Sequence, residues 1–332
     1  MNSFGRIFRV SIFGESHGES VGITIDGCPA GLSLSAEDLL SDLERRKGGK
    51  QKGTTPRQEA DYPFFKSGVF NGKTTGFPIT ILFENNNTRS EDYQKQRSIP
   101  RPGHADWVAH EKFGGNEDYR GGGHFSARLT TGLVAAGAIA KKLLNQINIT
   151  ASITEVGGEK DIEKGLQKAI DAKDSVGGII ECVVTGLPVG LGEPYFDSLE
   201  SSLAHMMFAI PAVKGVEFGS GFAAAKMFGS EHNDAIENMQ GKTTTNHAGG
   251  IVGGISNGND LVFRIAIKPT SSTPKEQTSL NWETQQQETF SIKGRHDLCV
   301  ALRAPVIVEA ATALVLADAM LLEQRIPRII KD

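Results

Sequence analysis

The stretch Ile25-Asp26-Gly27-Cys28-Pro29-Ala30-Gly31-Leu32 returns later in the chain as Val184-Thr185-Gly186-Leu187-Pro188-Val189-Gly190-Leu191. Both copies read aliphatic, any residue, Gly, any residue, Pro, any residue, Gly, Leu. Each follows a strand-like run and precedes a run with helical spacing. Glycine takes the positive φ that tight turns demand and proline presets its own φ, so the pattern is a strand–turn–helix unit used twice. The repeat predicts a single large domain over 1–332, built of two similar halves, about 1–150 and 151–332, around a pseudo-twofold axis. The competing reading is that Gly-x-Pro-x-Gly is recurrent turn chemistry with no further kinship between the halves.

Working outward from the first copy, Ser35 reads as a helix N-cap, Asp38 as the third helical position, and Leu39, Leu40 and Leu43 as the apolar stripe. Ile79 to Phe83 reads as a strand and Ala127 to Leu144 as a long Ala-rich helix. Around the second copy, Gly178 to Thr185 is strand-like, Ser198 to Phe208 helical, and Leu261 to Ile267 strand-like again. Pro305 to Glu323 is apolar nearly all round, which predicts a buried helix. Strands and helices do not alternate in the βαβ manner, so the expected class is α+β, with antiparallel sheets packed on central helices. Long polar loops, 47–61, 85–104, 114–124 and 270–294, are where chemistry is expected.

Composition narrows the function classes. The 332 residues suffice for a sizeable core, and 39% hydrophobic with 22% charged residues is too apolar for disorder. A net charge of −4 argues against a surface built to coat nucleic acid, so any anion site is local. Glycine is overused, 39 residues or about 12% against a usual level of about 7%. Cys28, Cys182 and Cys299 are odd in number and lack metal-ligand spacing, which predicts a reducing, cytoplasmic setting with no disulfide framework and no metal. The first ten residues carry Arg6 and Arg9 and no continuous apolar run of a signal peptide. The apolar runs Leu133 to Ala140 and Ala310 to Leu322 are interrupted before the roughly 20 residues of a membrane span, so a soluble protein is expected.

Arg45, Arg46, Lys47, Lys50, Lys52 and Arg57 crowd one segment, followed by Glu59 and Asp61. Alone, that cluster reads more readily as a solvated loop. A second cluster, Arg97, Arg101 and His104, and a third, Arg120, His124 and Arg128, turn the reading toward a ligand with more than one anionic group, because guanidinium forks match phosphate and carboxylate. Gly121-Gly122-Gly123 and the pairs Gly249-Gly250 and Gly253-Gly254 would let backbone N–H groups approach such oxygens. No dinucleotide fingerprint or phosphate loop is present. His17 and His104, each in a glycine-flanked loop, are the candidates for acid–base work near neutral pH, against the alternative of structural hydrogen bonding.

Gly14-Glu15-Ser16-His17-Gly18, Arg101-Pro102-Gly103-His104-Ala105-Asp106, Asn246-His247-Ala248-Gly249-Gly250-Ile251, Lys268-Pro269-Thr270-Ser271-Ser272 and Gly294-Arg295-His296-Asp297-Leu298-Cys299 follow in order along the chain. Together, from about residue 4 to residue 325, they resemble the chorismate synthase family. The resemblance implies a carbon–oxygen lyase that converts 5-enolpyruvylshikimate 3-phosphate to chorismate by 1,4-trans elimination of phosphate, in the shikimate pathway of aromatic amino-acid biosynthesis. It also implies FMN in its reduced form, a flavin reductant that is external or NADPH, and a homotetramer.

Carried over residue by residue, the resemblance places His17 at the departing phosphate and His104 against the reduced flavin. Ser16, Ser126 and Asp297 would relay protons near flavin N5. Arg46, Lys52, Arg57, Arg101 and Arg128 are the implied substrate-binding cations. Flavin contacts fall on His124, Phe125, Ser126, Pro211, Ala212, Gly253, Lys268, Pro269, Thr270, Ser271, Ser272 and Arg295. Two departures stand out: His124-Phe125-Ser126-Ala127-Arg128 replaces the family's usual Arg-Ser-Ser-Ala-Arg, and Lys52 stands where Arg is common, keeping charge without the bidentate fork. With Ser126 and Arg128 retained, altered flavin affinity rather than lost activity is expected. The rival class is a non-enzymatic anion- or RNA-binding protein using the same basic loops. The acidic net charge, and 17 Phe, 4 Tyr and 2 Trp with no motif clustering them for base stacking, argue against it.

Overall fold

A computed structural model describes residues 2–49, 52–55, 59–88, 97–292 and 296–331. The first half runs β1 (Ser3–Phe4), β2 (Arg9–Gly14), β3 (Ser20–Asp26), α1 (Glu37–Arg46), β4 (Phe64–Ser67), β5 (Val69–Phe70), β6 (Lys73–Thr74), β7 (Ile79–Glu84), α2 (Asp106–Phe113) and α3 (Thr130–Leu143). The second runs β8 (Asn148–Val156), α4 (Ile162–Ala172), β9 (Gly178–Thr185), α5 (Leu199–Ala209), β10 (Val213–Phe218), α6 (Gly229–His232), β11 (Ile251–Val252), β12 (Ile255–Ser256), β13 (Leu261–Ile267), β14 (Gln277–Asn281), β15 (Gln286–Phe290) and α7 (Pro305–Leu322).

Two antiparallel sheets carry the fold, in the orders β1-β2-β3-β7-β4 and β8-β9-β13-β10. Starting from β2 and from β8, the order is the same: two successive strands, then the last strand, then the one before it. Alternation explains the central strands. Ile23, Ile25, Ile79 and Ile81 from the first sheet, and Ile180, Cys182 and Val184 from the second, are fully buried. The quoted turns then leave β3 and β9 with positive φ at both glycines of each copy, 73° and 91° at Gly27 and Gly31, 78° and 102° at Gly186 and Gly190. Each turn leads through a short connection to a helix, α1 or α5.

The helices lie between the sheets. α3 packs on β3 and β7, α7 on β8 and β9, and the two cross each other, with α1 beside α3 and α5 beside α7. At the crossing, Gly137 permits contact so close that a Cβ there would sit 2.3 Å from the Cβ of Ala310. α7 is buried at every position from Val306 to Asp318. Its length and hydropathy would suit a membrane span, but it is a central core helix, 78% buried inside the protein. The mixed class with antiparallel sheets on central helices is therefore observed.

Three local expectations shift. α1 opens at Glu37 behind Ala36, and instead of Ser35 capping it, the Asp38 carboxylate reaches back to accept the Ser35 N–H at 2.8 Å. Arg45 and Arg46 belong to the last turn of α1 and not to a loop. The segment 270–294 contains the hairpin β14–β15, whose strands are too polar to signal themselves by apolar alternation.

Candidate active site

Residues from both halves line a cleft of about 710 Å³. The β2–β3 turn brings in Ser16, fully buried, and His17, 9% exposed. Gly123 carbonyl accepts the Ser16 N–H at 3.1 Å, which docks this turn on the triple-glycine segment. Gly121 and Gly122 have φ of 61° and 82° and lie between two rings: a Cβ on Gly121 would fall 2.5 Å from His17 Cδ2, and one on Gly122 3.4 Å from His104 Cε1. At Gly121 only a residue without a side chain lets the imidazole come so close, whereas at Gly122 the contact would be ordinary and the positive φ is what favours glycine. Ser126, next along, caps the following turn by accepting the Arg128 N–H at 3.3 Å.

Buried guanidinium groups form the floor. Arg46 Nη2 donates to Asp61 Oδ2 at 2.9 Å, and Arg128 Nη1 donates to the other oxygen of the same carboxylate. Arg128 further donates Nε to Asn85 Oδ1 at 2.9 Å and Nη2 to the Glu84 carbonyl at 3.1 Å. Burial drives the Arg46 pKa down to about 10, with Asp61 opposing and the Arg128 and Arg303 cations adding to the fall. Burial also works against the Asp61 charge, but Arg46 and Arg128 outweigh it and hold its carboxyl below the usual range. Arg303 Nη2 donates to Asp297 Oδ2 at 2.6 Å, while Asp297 Oδ1 accepts the Thr55 N–H at 2.8 Å. The Nε–H groups of Arg46 and Arg303 are buried with no hydrogen-bond partner among the described residues.

On another side, Arg101 engages Asp106 through Nε and Nη2 at 2.7 and 2.8 Å and Ser272 Oγ through Nη1 at 3.2 Å. Asp106 Oδ1 is 2.6 Å from His104 Nδ1. Lys268 Nζ donates to the Gly103 carbonyl at 3.0 Å and to Ser271 Oγ at 2.7 Å, joining the 268–272 turn to the histidine loop. Burial pushes the Lys268 pKa down, with Lys214 adding to it. Ala212 adopts φ 73° at the α5–β10 turn and its carbonyl accepts the Lys268 N–H at 2.9 Å.

The cleft thus gathers Ser16, His17, Arg46, Arg101, His104, His124, Phe125, Ser126, Arg128, Pro211, Ala212, Lys268, Pro269, Thr270, Ser271, Ser272 and Asp297. His124 Nδ1 faces the Gly14 carbonyl at 2.9 Å, and Phe125 is 42% exposed. Lys52 and Gly253 are not among the lining residues. Lys52 Nζ donates to Gln167 on α4 at 3.1 Å, and Gly253 lies in the β11–β12 turn. Arg57 and Arg295 lie outside the described residues. Asp61, Asp106, Asn85 and Arg303 were not singled out from sequence. Arg303 carried one signal, a cation interrupting the apolar approach to α7, whereas Asp61 read only as local charge balance and Asp106 only as the last residue of the Arg101–Asp106 motif.

A family model described as chorismate synthase matches residues 8–321. The chain is 68% identical to a chorismate synthase of Chitinophaga pinensis over 333 aligned positions, covering all of both chains. It is 46% identical to a chorismate synthase of Dehalococcoides mccartyi, again over the whole of both. A crystal structure of chorismate synthase superposes with a TM-score of 0.73 at 27% identity, covering 96% of this chain and 93% of that one.

Proposed function

The chain belongs to the chorismate synthase family, and from that premise we propose that it eliminates phosphate from 5-enolpyruvylshikimate 3-phosphate to give chorismate, with reduced FMN as cofactor. It is a lyase of the shikimate pathway. The observation that carries the reading is the meeting, in one cleft, of two histidines from separate loops with the guanidinium groups of Arg46, Arg128 and Arg303. Elimination takes a ring proton and a phosphate from the substrate, so the site must neutralise a departing anion and hold a proton. His17 would hold a proton at the leaving phosphate oxygen, and Arg46, Arg101 and Arg128 would balance the substrate charges. His104 would face the flavin, with Ser16, Ser126 and Asp297 as proton relay.

The residues present fit a flavin. Val10, Ile12, Leu133 and Met206 offer an apolar wall for a flat ring, and the Pro211-Ala212 and Lys268–Ser272 turns, with His124 and Phe125, offer polar edges. When bound, reduced FMN supplies an electron-rich ring system beside the reacting carbon framework. Homotetrameric assembly, a cytoplasmic location and a reductant that is external or NADPH belong to the same proposal on the family resemblance alone. The pseudo-twofold relation of the halves is supported by the matched strand orders and turns.

The test is an anaerobic assay with chemically reduced FMN. Chorismate and phosphate should appear in equal amounts, and neither with oxidised FMN. RNA binding with no chorismate formed would replace the enzyme by an anion-binding protein.

A further inference from the structure

We propose that Asp106 is a positioning residue that holds the neutral ring of His104 as its Nδ1–H tautomer, which leaves Nε2, on the side of Gly122, as the ring's acceptor. The proposal rests on the lyase reading only for its consequence in turnover.

His104 Nδ1 has two polar neighbours, Asp106 Oδ1 at 2.6 Å and Arg101 Nη2 at 3.0 Å. A carboxylate only accepts and a guanidinium only donates, so the closer contact requires the proton on Nδ1. Asp106 stays ionised: burial works against its charge, but the hydrogen bonds from Arg101 and His104 hold its pKa well below the usual carboxylate range. It is also immobile, since Arg101 grips it with Nε, Nη2 and its own backbone N–H at 2.7, 2.8 and 3.0 Å. Arg101 is in turn tied to Ser272, and the Ser271 hydroxyl donates to the Gly103 carbonyl at 2.7 Å.

The alternative for an acid at the first residue of a helix is favourable interaction with the helix N-terminus. No side chain caps α2, and both Asp106 oxygens are turned toward Arg101 and His104. The carboxylate therefore serves the imidazole. Without it, the remaining neighbour of Nδ1 is the donor Arg101, which would make Nδ1 an acceptor and move the proton to Nε2.

Long-range 1H–15N spectra of the protein labelled with 15N-histidine, with His104 assigned through His104→Gln, read the tautomer directly without substrate or flavin. We expect the neutral ring to be protonated at Nδ1 in the wild type and at Nε2 in Asp106→Ala, with Asp106→Glu restoring the wild-type pattern. In turnover, Asp106→Ala should lower kcat by about 10²-fold, and KM should rise as well, because Arg101 loses the carboxylate that holds it. A wild-type ring protonated at Nε2, or a tautomer unmoved by Asp106→Ala, overturns the proposal, as does a shifted tautomer with unchanged kcat. Should Asp106→Ala fail to fold, the wild-type spectrum decides alone. Loss of the lyase activity altogether would leave these spectra readable.

Discussion

His17 and His104 approach neighbouring glycines, Gly121 and Gly122, from two loops far apart in sequence. Both sit outside the sheets and helices, so truncating either should spare the fold. His17→Ala and His104→Ala are expected to lower turnover with reduced FMN by about 10²-fold each, the scale of a lost proton donor or acceptor, while melting temperatures stay close to wild type. Wild-type turnover in either variant would remove that residue from the chemistry. Asp61 behaves differently because it is structural charge. Its folded pKa lies below the ordinary 3.8, so the stability it contributes is fully present above that value and lost as pH falls through the lower, folded one. Asp61→Asn leaves Arg46 and Arg128 without their shared counter-ion, at a cost of about 3–5 kcal/mol near neutral pH. The gap in stability to wild type should narrow below about pH 3.8, and denaturant melts between pH 3 and 7 would show it. A gap constant with pH would contradict the pairing. Sequence made the histidines legible through their glycine-flanked loops. It left Asp61 and Arg303 unmarked, because nothing in a residue's neighbours along the chain tells which distant charge it meets.

Among the elements, the crossing of α3 and α7 sets how close the two halves pack. Helix propensity alone favours alanine over glycine at Gly137 by about 1 kcal/mol. The added Cβ would however lie 2.3 and 2.4 Å from the Cβ and Cα of Ala310, and backbone cannot yield as a flexible side chain does. Overpacking of this kind costs about 1–3 kcal/mol, so Gly137→Ala is expected to destabilise despite its propensity. Equilibrium denaturation decides the sign, and a stabilised variant would mean that the helices can part at little cost. The central strands β9 and β13 were legible by their alternation, and the buried α7 by its long apolar run. The β14–β15 hairpin was not. The hairpin strands Gln277–Asn281 and Gln286–Phe290 are mostly polar, and cross-strand pairing rather than burial specifies them.

Across the whole molecule, the two ends of the chain are fastened together. Asp318 on α7 accepts the backbone N–H groups of Arg6, Ile7 and Phe8 at 2.9, 2.7 and 2.8 Å, and the Ile330 N–H donates to the Ala30 carbonyl at 2.8 Å. The first of these ties holds the N-terminal strap, whose residues Asn2, Ser3 and Phe4 line the cleft. Asp318→Ala strips three donors of their acceptor and should cost about 1–3 kcal/mol, the buried Phe8 N–H contributing most. Limited proteolysis should then cut within the first ten residues faster than in wild type. An unchanged cleavage pattern would show that β1 and β2 hold the strap unaided.

By itself the sequence determined the two glycine-proline turns after their strands, the mixed class and the family, since periodicity, turn chemistry and ordered motifs are all read along the chain. Tertiary structure alone decided how the charges are used. It joined Arg46 and Arg128 to Asp61, Arg303 to Asp297, and Arg101 to Asp106 and Ser272, and it carried Lys52 away to Gln167. A cation's type and neighbours announce its need for an anion. Which anion meets that need is set by the packing of elements that lie far apart in sequence, and local pattern holds no record of it.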